Sequence, residues 1–391
     1  MEMQGQVVLK SGRDASVRRF HPWIFSGAVH TVKGQPANGD WVSVCDSRGE
    51  VLGHGHYQKG TITVRLLSFG NVPPSPSHYA DRISRGLQQR ITAGVVRPGT
   101  NCYRLVHGEA DGLPGLIVDY YDGVAVIQPH SAGIHADRNR ISRALQEVLR
   151  DDLKAIYYKG MSSGEGVSAS EYLFGMVVVP HIVMEHGNQF QVDWESGQKT
   201  GFFLDQRENR HMVETLSRDH TVLNTFCYTG GFSVYALQGG ATLVHSVDAS
   251  EKAIELARKN IQLNDFDANR HTCTVGDTFD FLSGKKDQYD LIILDPPAFA
   301  KHKDAKHHAM KGYQRLNAEA MRVIRAGGLL FTFSCSQVVD RQLFYDTVVS
   351  AAIQAGREVK VLSVLSQPAD HPVSLFHPEG EYLKGLVLHV Y

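Results

Sequence analysis

From about residue 190 onward, short apolar runs alternate with helical stretches, and each run stops at a small or polar residue. The runs are HTVLNTF (220–226), ATLVHSVD (241–248), RHTCTVGD (270–277), YDLIILD (289–295) and GGLLFTFS (327–334). Between the second and third lies SEKAIELARKNIQLND, where Ser250 can cap a helix and Ile254, Ala257 and Ile261 share one face. Alternation of this kind predicts a doubly wound, largely parallel α/β sheet with helices on both sides. Ligands of such sheets bind beyond the carboxyl ends of the strands. The residues at those ends therefore carry the functional reading.

The first run ends in NTFCYTGGFSVYAL (224–237), where Thr229, Gly230 and Gly231 turn the chain into a helix. Glycines there let the backbone approach a ligand. Their spacing is not the dinucleotide G-x-G-x-x-G, which disfavours a nicotinamide cofactor. Asp248 ends the second run, 17 residues after Gly231, and suits the two hydroxyls of a ribose. Asp277 ends the third and suits an adenine amino group, although aspartates at strand ends also serve as helix caps. The ordered set implies a nucleoside without a strong phosphate cradle, which describes S-adenosylmethionine. Upstream, GQKTGFFLDQRENR (197–210) offers Lys199, Asp205, Gln206 and Arg207 either to the methionine end of that cofactor or as a capped, charged helix start.

The fourth run leads into LDPPAFAKHK, in which Asp295 is followed by Pro296 and Pro297. Two prolines hold the chain extended and stiff, a platform for a flat base with a carboxylate at its edge. Phe299 can stack or pack. The following stretch, read as a loop over 301–315, carries Lys301, Lys303, Lys306, Lys311 and Arg315 against Asp304 alone. It reads as a phosphate-backbone contact or as a solvated loop. The fifth run ends at Cys335, which would face the platform if neighbours in sequence are neighbours in space. Cytosine carbon five is a poor nucleophile. A thiolate adding to ring carbon six turns the base into an enamine-like species able to take a methyl from a sulfonium, after which the carbon-five proton and then the thiol leave. Asp295 suits a hydrogen bond to the ring nitrogen. Cys227, in the cofactor turn, is expected to line the cofactor, and Cys45, Cys102 and Cys273 to be structural.

The remainder of the chain sets limits. With 391 residues, two or three domains are expected. No apolar run reaches the roughly 18 residues of a membrane helix, and the start lacks the apolar core of a secretion signal. The odd count of five cysteines gives no disulfide framework, so a reducing, cytoplasmic setting is expected. Pairs such as His54 and His56 lack completing ligands, so no metal is expected. The formal net charge of −1 gives no global basic field, and RNA contact would need local patches. Residues 1–70 alternate strand-like runs with glycine turns and carry eight Lys/Arg against five Asp/Glu. Within them VRRFHPWIFSG (17–27) places Arg18 and Arg19 beside Phe20, Trp23 and Phe25, either as an RNA-stacking surface or as core aromatics next to a charged turn. After a Pro/Ser-rich break at 70–81, residues 71–189 read as a mixed α/β module, and 190–391 as the parallel-sheet domain.

HPWIFSG, VHGEADGLPGLIVDYY, KTGFFLDQRENR, FCYTGGFS, LDPPAF and TFSCS occur in that order along nearly the whole chain. Together they resemble the bacterial large-subunit rRNA cytosine-C5 methyltransferases that carry an N-terminal PUA domain. The resemblance implies a PUA domain near 1–70, a central α/β domain and a C-terminal Rossmann-like methyltransferase using S-adenosylmethionine. It implies Cys335 as nucleophile, and it implies cofactor contacts from Thr225 to Gly231 (Phe226 included), from Asp248 with Ala249, and from Asp277. Arg18, Arg19 and Trp23 gain weight as RNA contacts, with 23S rRNA or a large-subunit precursor as partner. A homodimer accords with the resemblance, but no interface is legible. Many enzymes of the wider cytosine-C5 group have a second cysteine beside the proline platform; LDPPAF has none, so one thiol must attack and leave. Two other readings stand beside this one: methylation of a base nitrogen, which needs no thiol, and a noncatalytic ribosome-assembly factor that binds RNA.

Overall fold

The computed structural model describes residues 2–160, 168–286, 288–299 and 306–391. They form two compact units. The first comprises Met1–Val183, Val192–Leu204 and Ala369–Gly380; the second comprises Met184–Gln191, Asp205–Pro368 and Glu381–Tyr391. Within the hairpin of His181–Glu185 and Asn188–Val192 the chain enters the second unit at Met184 and returns to the first at Val192, and it passes to the second again at Asp205.

The first unit holds two sheets. The N-terminal one has six strands, ordered Trp23–Phe25, Ile62–Phe69, Val51–Tyr57, Trp41–Cys45, Gly5–Leu9 and Val29–Gly34. Val7, Val42, Val44 and Val64 are fully buried in its core, as alternating strand residues should be. The second sheet has five strands, from Glu171–Phe174 at one edge to Cys102–His107 at the other. The helices His78–Thr92 and Arg138–Leu149 add Ile83, Ile141 and Leu145 to its core. Asp137, buried, accepts hydrogen bonds from Trp41 Nε1 (3.0 Å) and Tyr79 Oη (2.8 Å), with His56 Nε2 at 3.0 Å. That shared acceptor ties the N-terminal barrel-like sheet to the central one, because a buried carboxylate must be fully hydrogen-bonded.

The second unit is the alternating α/β region. Its seven-stranded sheet is ordered His271–Val275, Leu243–Asp248, Thr221–Thr225, Tyr289–Leu294, Ile324–Ser334, Lys384–Val390 and Val359–Leu365. The first five run parallel. Lys384–Val390 is antiparallel to both of its neighbours. These last two strands were not anticipated from the sequence. Helix Glu251–Leu263 is capped as expected: Ser250 Oγ accepts from the Ala253 amide at 3.3 Å, and Ile254, Ala257 and Ile261 are buried. The strand order reverses between Thr221–Thr225 and Tyr289–Leu294, which is where a doubly wound sheet opens its ligand crevice.

Part of the stretch expected as a basic loop at 301–315 is helical. Lys306–Val323 forms a helix because Ala309, Tyr313, Leu316 and Ala320 fall on one face and bury against the sheet. Lys311 and Arg315 ride on that helix, and Arg315 lies 4.7 Å over the Phe279 ring. Lys301 and Lys303 lie outside the described residues.

Candidate active site

Register brings the strand ends together. Thr225 pairs with Leu294, and Leu294 pairs with Thr332. Phe226, Asp295 and the Ser334–Cys335 end therefore share one edge of the sheet, beside the switch point. Thr225 Oγ1 fastens the first two of these strands by donating to the Ile293 carbonyl at 2.8 Å.

The turn after the first strand is held in an unusual conformation. Phe226 and Tyr228 have φ of 54° and 46°, values that bulky L-residues adopt rarely and at a cost. Gly230 follows at φ 74°, and a Cβ there would lie 2.9 Å from Ala257 Cβ. The turn is paid for by partners the motif reading did not include. Asn260, fully buried, donates to the Thr229 carbonyl at 2.8 Å. Asp248 Oδ2 accepts from the Tyr228 amide at 3.0 Å, and Oδ1 from the Ser250 amide at 2.9 Å. Asp248 is thus half-buried at its strand end with the turn wrapped onto it, and Ala249 beside it is exposed. Asp277 is exposed and caps helix Thr278–Leu282 through the amides of Phe279 (2.8 Å) and Asp280 (3.2 Å).

Gln206 and Arg207 are buried. Gln206 accepts from Asn209 Nδ2 at 2.6 Å, and it holds the Asp295 carboxyl down. Arg207 Nε lies 3.4 Å from Glu185 Oε2, and the same carboxylate takes Arg210 through two hydrogen bonds of 2.9 and 2.8 Å. Tyr382 Oη donates to Asp205 Oδ2 at 2.7 Å, whereas Asp205 Oδ1 is buried with no hydrogen-bond partner among the described residues. Lys199 is exposed and belongs to the first unit.

At the Asp295 edge, charges crowd. Asp295 keeps some accessible surface, yet burial pushes its carboxyl up to about 7, helped by the negative charge of Asp205 and opposed by Gln206 and Arg210. Cys335 is half-buried, and its thiol is pushed up to about 11 by burial, then by Asp295 and Asp205. Tyr313 is fully buried beside Cys335 and Asp295, its phenol raised to about 12 chiefly by burial. Lys384, only 3% exposed, opposes the rise at Cys335; its Nζ donates to the Ser336 carbonyl at 2.7 Å. Lys384 escaped sequence reading because it lies far along the chain from Cys335. The available signal was a lysine opening the otherwise apolar run KGLVLHV. Pro296 is buried and Pro297 exposed. Phe299 packs on Tyr313, with ring centroids 4.6 Å apart, and a Cβ on Gly312 would meet its Cδ2 at 3.0 Å.

A family of S-adenosylmethionine-dependent methyltransferases matches residues 160–374, more than half the chain, and a PUA-like domain matches residues 7–69. Ribosomal RNA large subunit methyltransferase I of Alteromonas mediterranea is 39% identical over 99% of both chains. The protein of the same name from Pseudoalteromonas translucida is 37% identical over the full length of both. The chain belongs to the ribosomal RNA large subunit methyltransferase I family. The crystal structure of SMU.776 complexed with SAH shares the methyltransferase's fold, with a TM-score of 0.86, 22% identity and all of both chains covered. Trm5b from Pyrococcus abyssi is more distant, at a TM-score of 0.53 and 17% identity over 100% of this chain and 99% of that one. The methyltransferase uses S-adenosylmethionine. The crevice fits such a group: it has a half-buried strand-end acid at Asp248 and a buried, unpartnered carboxylate oxygen on Asp205 for an ammonium.

In the methyltransferase's PUA-like sheet, Arg18 is committed to carboxylates, with Asp14 at 2.6 Å and Glu50 at 2.7 Å. Arg19 is exposed, and Trp23 Nε1 donates to Glu109 at 2.8 Å. Phe20 and Phe25 are exposed at 51% and 42%, which is high for aromatic side chains. Nearby, His21, His377 and Glu379 bring ligand-type atoms within 4.8 Å of one another, a grouping of distant positions that no local spacing announces. Among the described residues no helix is long and apolar enough to cross a membrane.

Proposed function

We propose that this chain methylates carbon five of a cytosine in 23S rRNA through a transient covalent bond to Cys335. The observation that carries the reading is that Cys335 and Asp295 end neighbouring strands beside the switch point, where the Asp295 charge adds to the rise of the Cys335 thiol. The names of the full-length relatives support large-subunit rRNA as substrate. Bound S-adenosylmethionine supplies an electrophilic methyl group. Asp248, Ala249, Asp277 and the Thr225–Gly231 turn would hold its nucleoside; Asp205, Gln206 and Arg207 would border its amino-acid end.

Cys335 Sγ bonds to ring carbon six and its proton leaves. The ring electrons shift toward carbon five, which gains the methyl; its proton then departs and the S–C6 bond breaks. With a carboxyl near 7, Asp295 is part protonated at neutral pH and can donate to the ring nitrogen while the adduct stands. Moving the thiol proton onto Asp295 goes from a group near 11 to one near 7, an uphill step of about 5 kcal/mol. That is affordable within an enzymatic barrier, and it makes the adduct, rather than a resting thiolate, the reactive state. Pro296, Pro297 and Phe299 would seat the base, with Lys301 and Lys303 on the backbone and Arg18, Arg19 and Trp23 meeting RNA on the PUA-like sheet.

The test is methyl transfer from labelled S-adenosylmethionine to unmodified 23S rRNA followed by nucleoside analysis. The expected product is 5-methylcytidine, with a trapped protein–RNA adduct on 5-fluorocytosine RNA. An N-methylated base, or full activity in Cys335→Ser, overturns the reading.

A further inference from the structure

Lys384 stands in the sheet as a buried cation with no carboxylate of its own. It pairs across the antiparallel ladder with Ser334, the residue before Cys335. Residues directly opposite each other on antiparallel strands share a face. Its side chain is 3% exposed and reaches past the strand end to donate to the Ser336 carbonyl at 2.7 Å. It thereby holds the backbone on the far side of the cysteine. The next pair, Phe333 with Gly385, lies on the opposite face, where a Cβ on Gly385 would lie 2.5 Å from the Phe333 ring.

No ion pair to Lys384 occurs among the described residues. The nearby acids have other work: Glu381 pairs with Arg341 at 2.5 Å, and Asp340 caps helix Arg341–Ala355 through the Leu343 amide at 2.9 Å. Burying an ammonium without a counter-charge is costly, and buried charges are ordinarily paired. The groups facing the thiol are Asp295 from the Tyr289–Leu294 strand end, Asp205 from the Leu204–Gln206 turn, Tyr313 from the Lys306–Val323 helix, and Lys384. Three of these are acids or a neutral phenol. Among these four groups Lys384 brings the positive charge.

The geometry points to Lys384 as a positioning residue whose buried ammonium becomes the counter-ion of the Cys335 thiolate and fixes the Cys335–Ser336 turn. The role rests on the covalent reading above. Burial lowers the ammonium to about 8 while Cys335 and Glu381 raise it, so the lysine and the thiol each favour the other's charged form. The coupling is reciprocal, as linkage requires.

The experiment measures iodoacetamide alkylation at Cys335 against pH, read site by site by mass spectrometry on the full chain without RNA or cofactor. In Lys384→Met the alkylation rate at about pH 7, where the parent's ammonium is charged, falls about tenfold. Lys384→Arg keeps the charge and stays near the parent. An unchanged rate at that pH in Lys384→Met, with a normal thermal melt, overturns the role. A second measurement does not depend on that variant folding: acylation of Lys384 by acetic anhydride against pH, in the parent and in Cys335→Asp. A carboxylate in place of the neutral thiol moves the Lys384 midpoint up, and coincident profiles overturn the proposal. Neither readout involves a methylated product, so failure of the cytosine assignment and failure of this coupling are separate results.

Discussion

Cys227 and Cys335 both follow strands of one sheet, the first after Thr221–Thr225 and the second directly after Ile324–Ser334. Their surroundings differ in kind. Cys227 is 6% exposed, packed on Ile254 and Ala257, and its thiol is driven well up by burial with Asp248 adding to the rise. Cys335 is half-buried, among two carboxylates, a phenol and a lysine. A strand end makes a cysteine available for chemistry only when the neighbouring strands bring charge and leave access. Position in the sheet alone does not separate the two thiols; their neighbours do.

The contrast is broken most directly by exchanging the thiols for hydroxyls. Cys335→Ser is expected to lower methyl transfer at least about a thousandfold, because the adduct cannot form, while Cys227→Ser keeps activity within about tenfold. Comparable losses in a radiolabel transfer assay would erase the distinction.

The next effect is on stability. Asp295 is raised in the folded chain from 3.8 to about 7, so the native state keeps a proton that the unfolded chain releases. Its contribution is fully present below about pH 4 and is lost as pH rises through about 7, at most about 4 kcal/mol. Asp295→Asn removes this slope. Urea midpoints at pH 5 and pH 8 should therefore differ less in the variant than in the parent, and equal slopes would show that Asp295 titrates normally.

A smaller change sharpens the Cys227 side. Gly230→Ala forces a methyl against Ala257 at positive φ and is expected to cost about 2 kcal/mol. Thermal unfolding would reveal it. A neutral result would mean that the helix Glu251–Leu263 yields and the turn is softer than its packing suggests.

Much of this was legible because the parallel strands are buried on both faces and read as plain apolar runs ending in acids. Ser250, Asp248, Asp295 and Cys335 announce themselves by standing where each run stops. What escaped is what distance in sequence hides. Edge strand Val359–Leu365 exposes most of its residues, so it lacks the apolar run of its inner neighbours. Asn260 lies mid-helix and looks like any polar helical residue until its amide is seen holding Thr229. Residues 369–380 lie in sequence between two strands of the second unit's sheet, Val359–Leu365 and Lys384–Val390, yet belong to the first unit, a long-range association that no local pattern encodes. The 301–315 stretch reads as wholly a loop because its lysines, histidines and arginine together outnumber its apolar residues, although Ala309, Tyr313 and, just beyond it, Leu316 carry a helical period.

Strand Lys384–Val390 is inserted between Ile324–Ser334 and Val359–Leu365, although it is synthesised after both. Until it arrives, Val359–Leu365 has no inner partner and the apolar flank of Ile324–Ser334 stays open. Such non-local closure is slow and comes late. The strand that seals the sheet also carries Lys384, so under the role proposed for that lysine assembly and arming would coincide: a half-made sheet would hold a dormant sulfur, and the reactive centre would mature only as the last gap shuts.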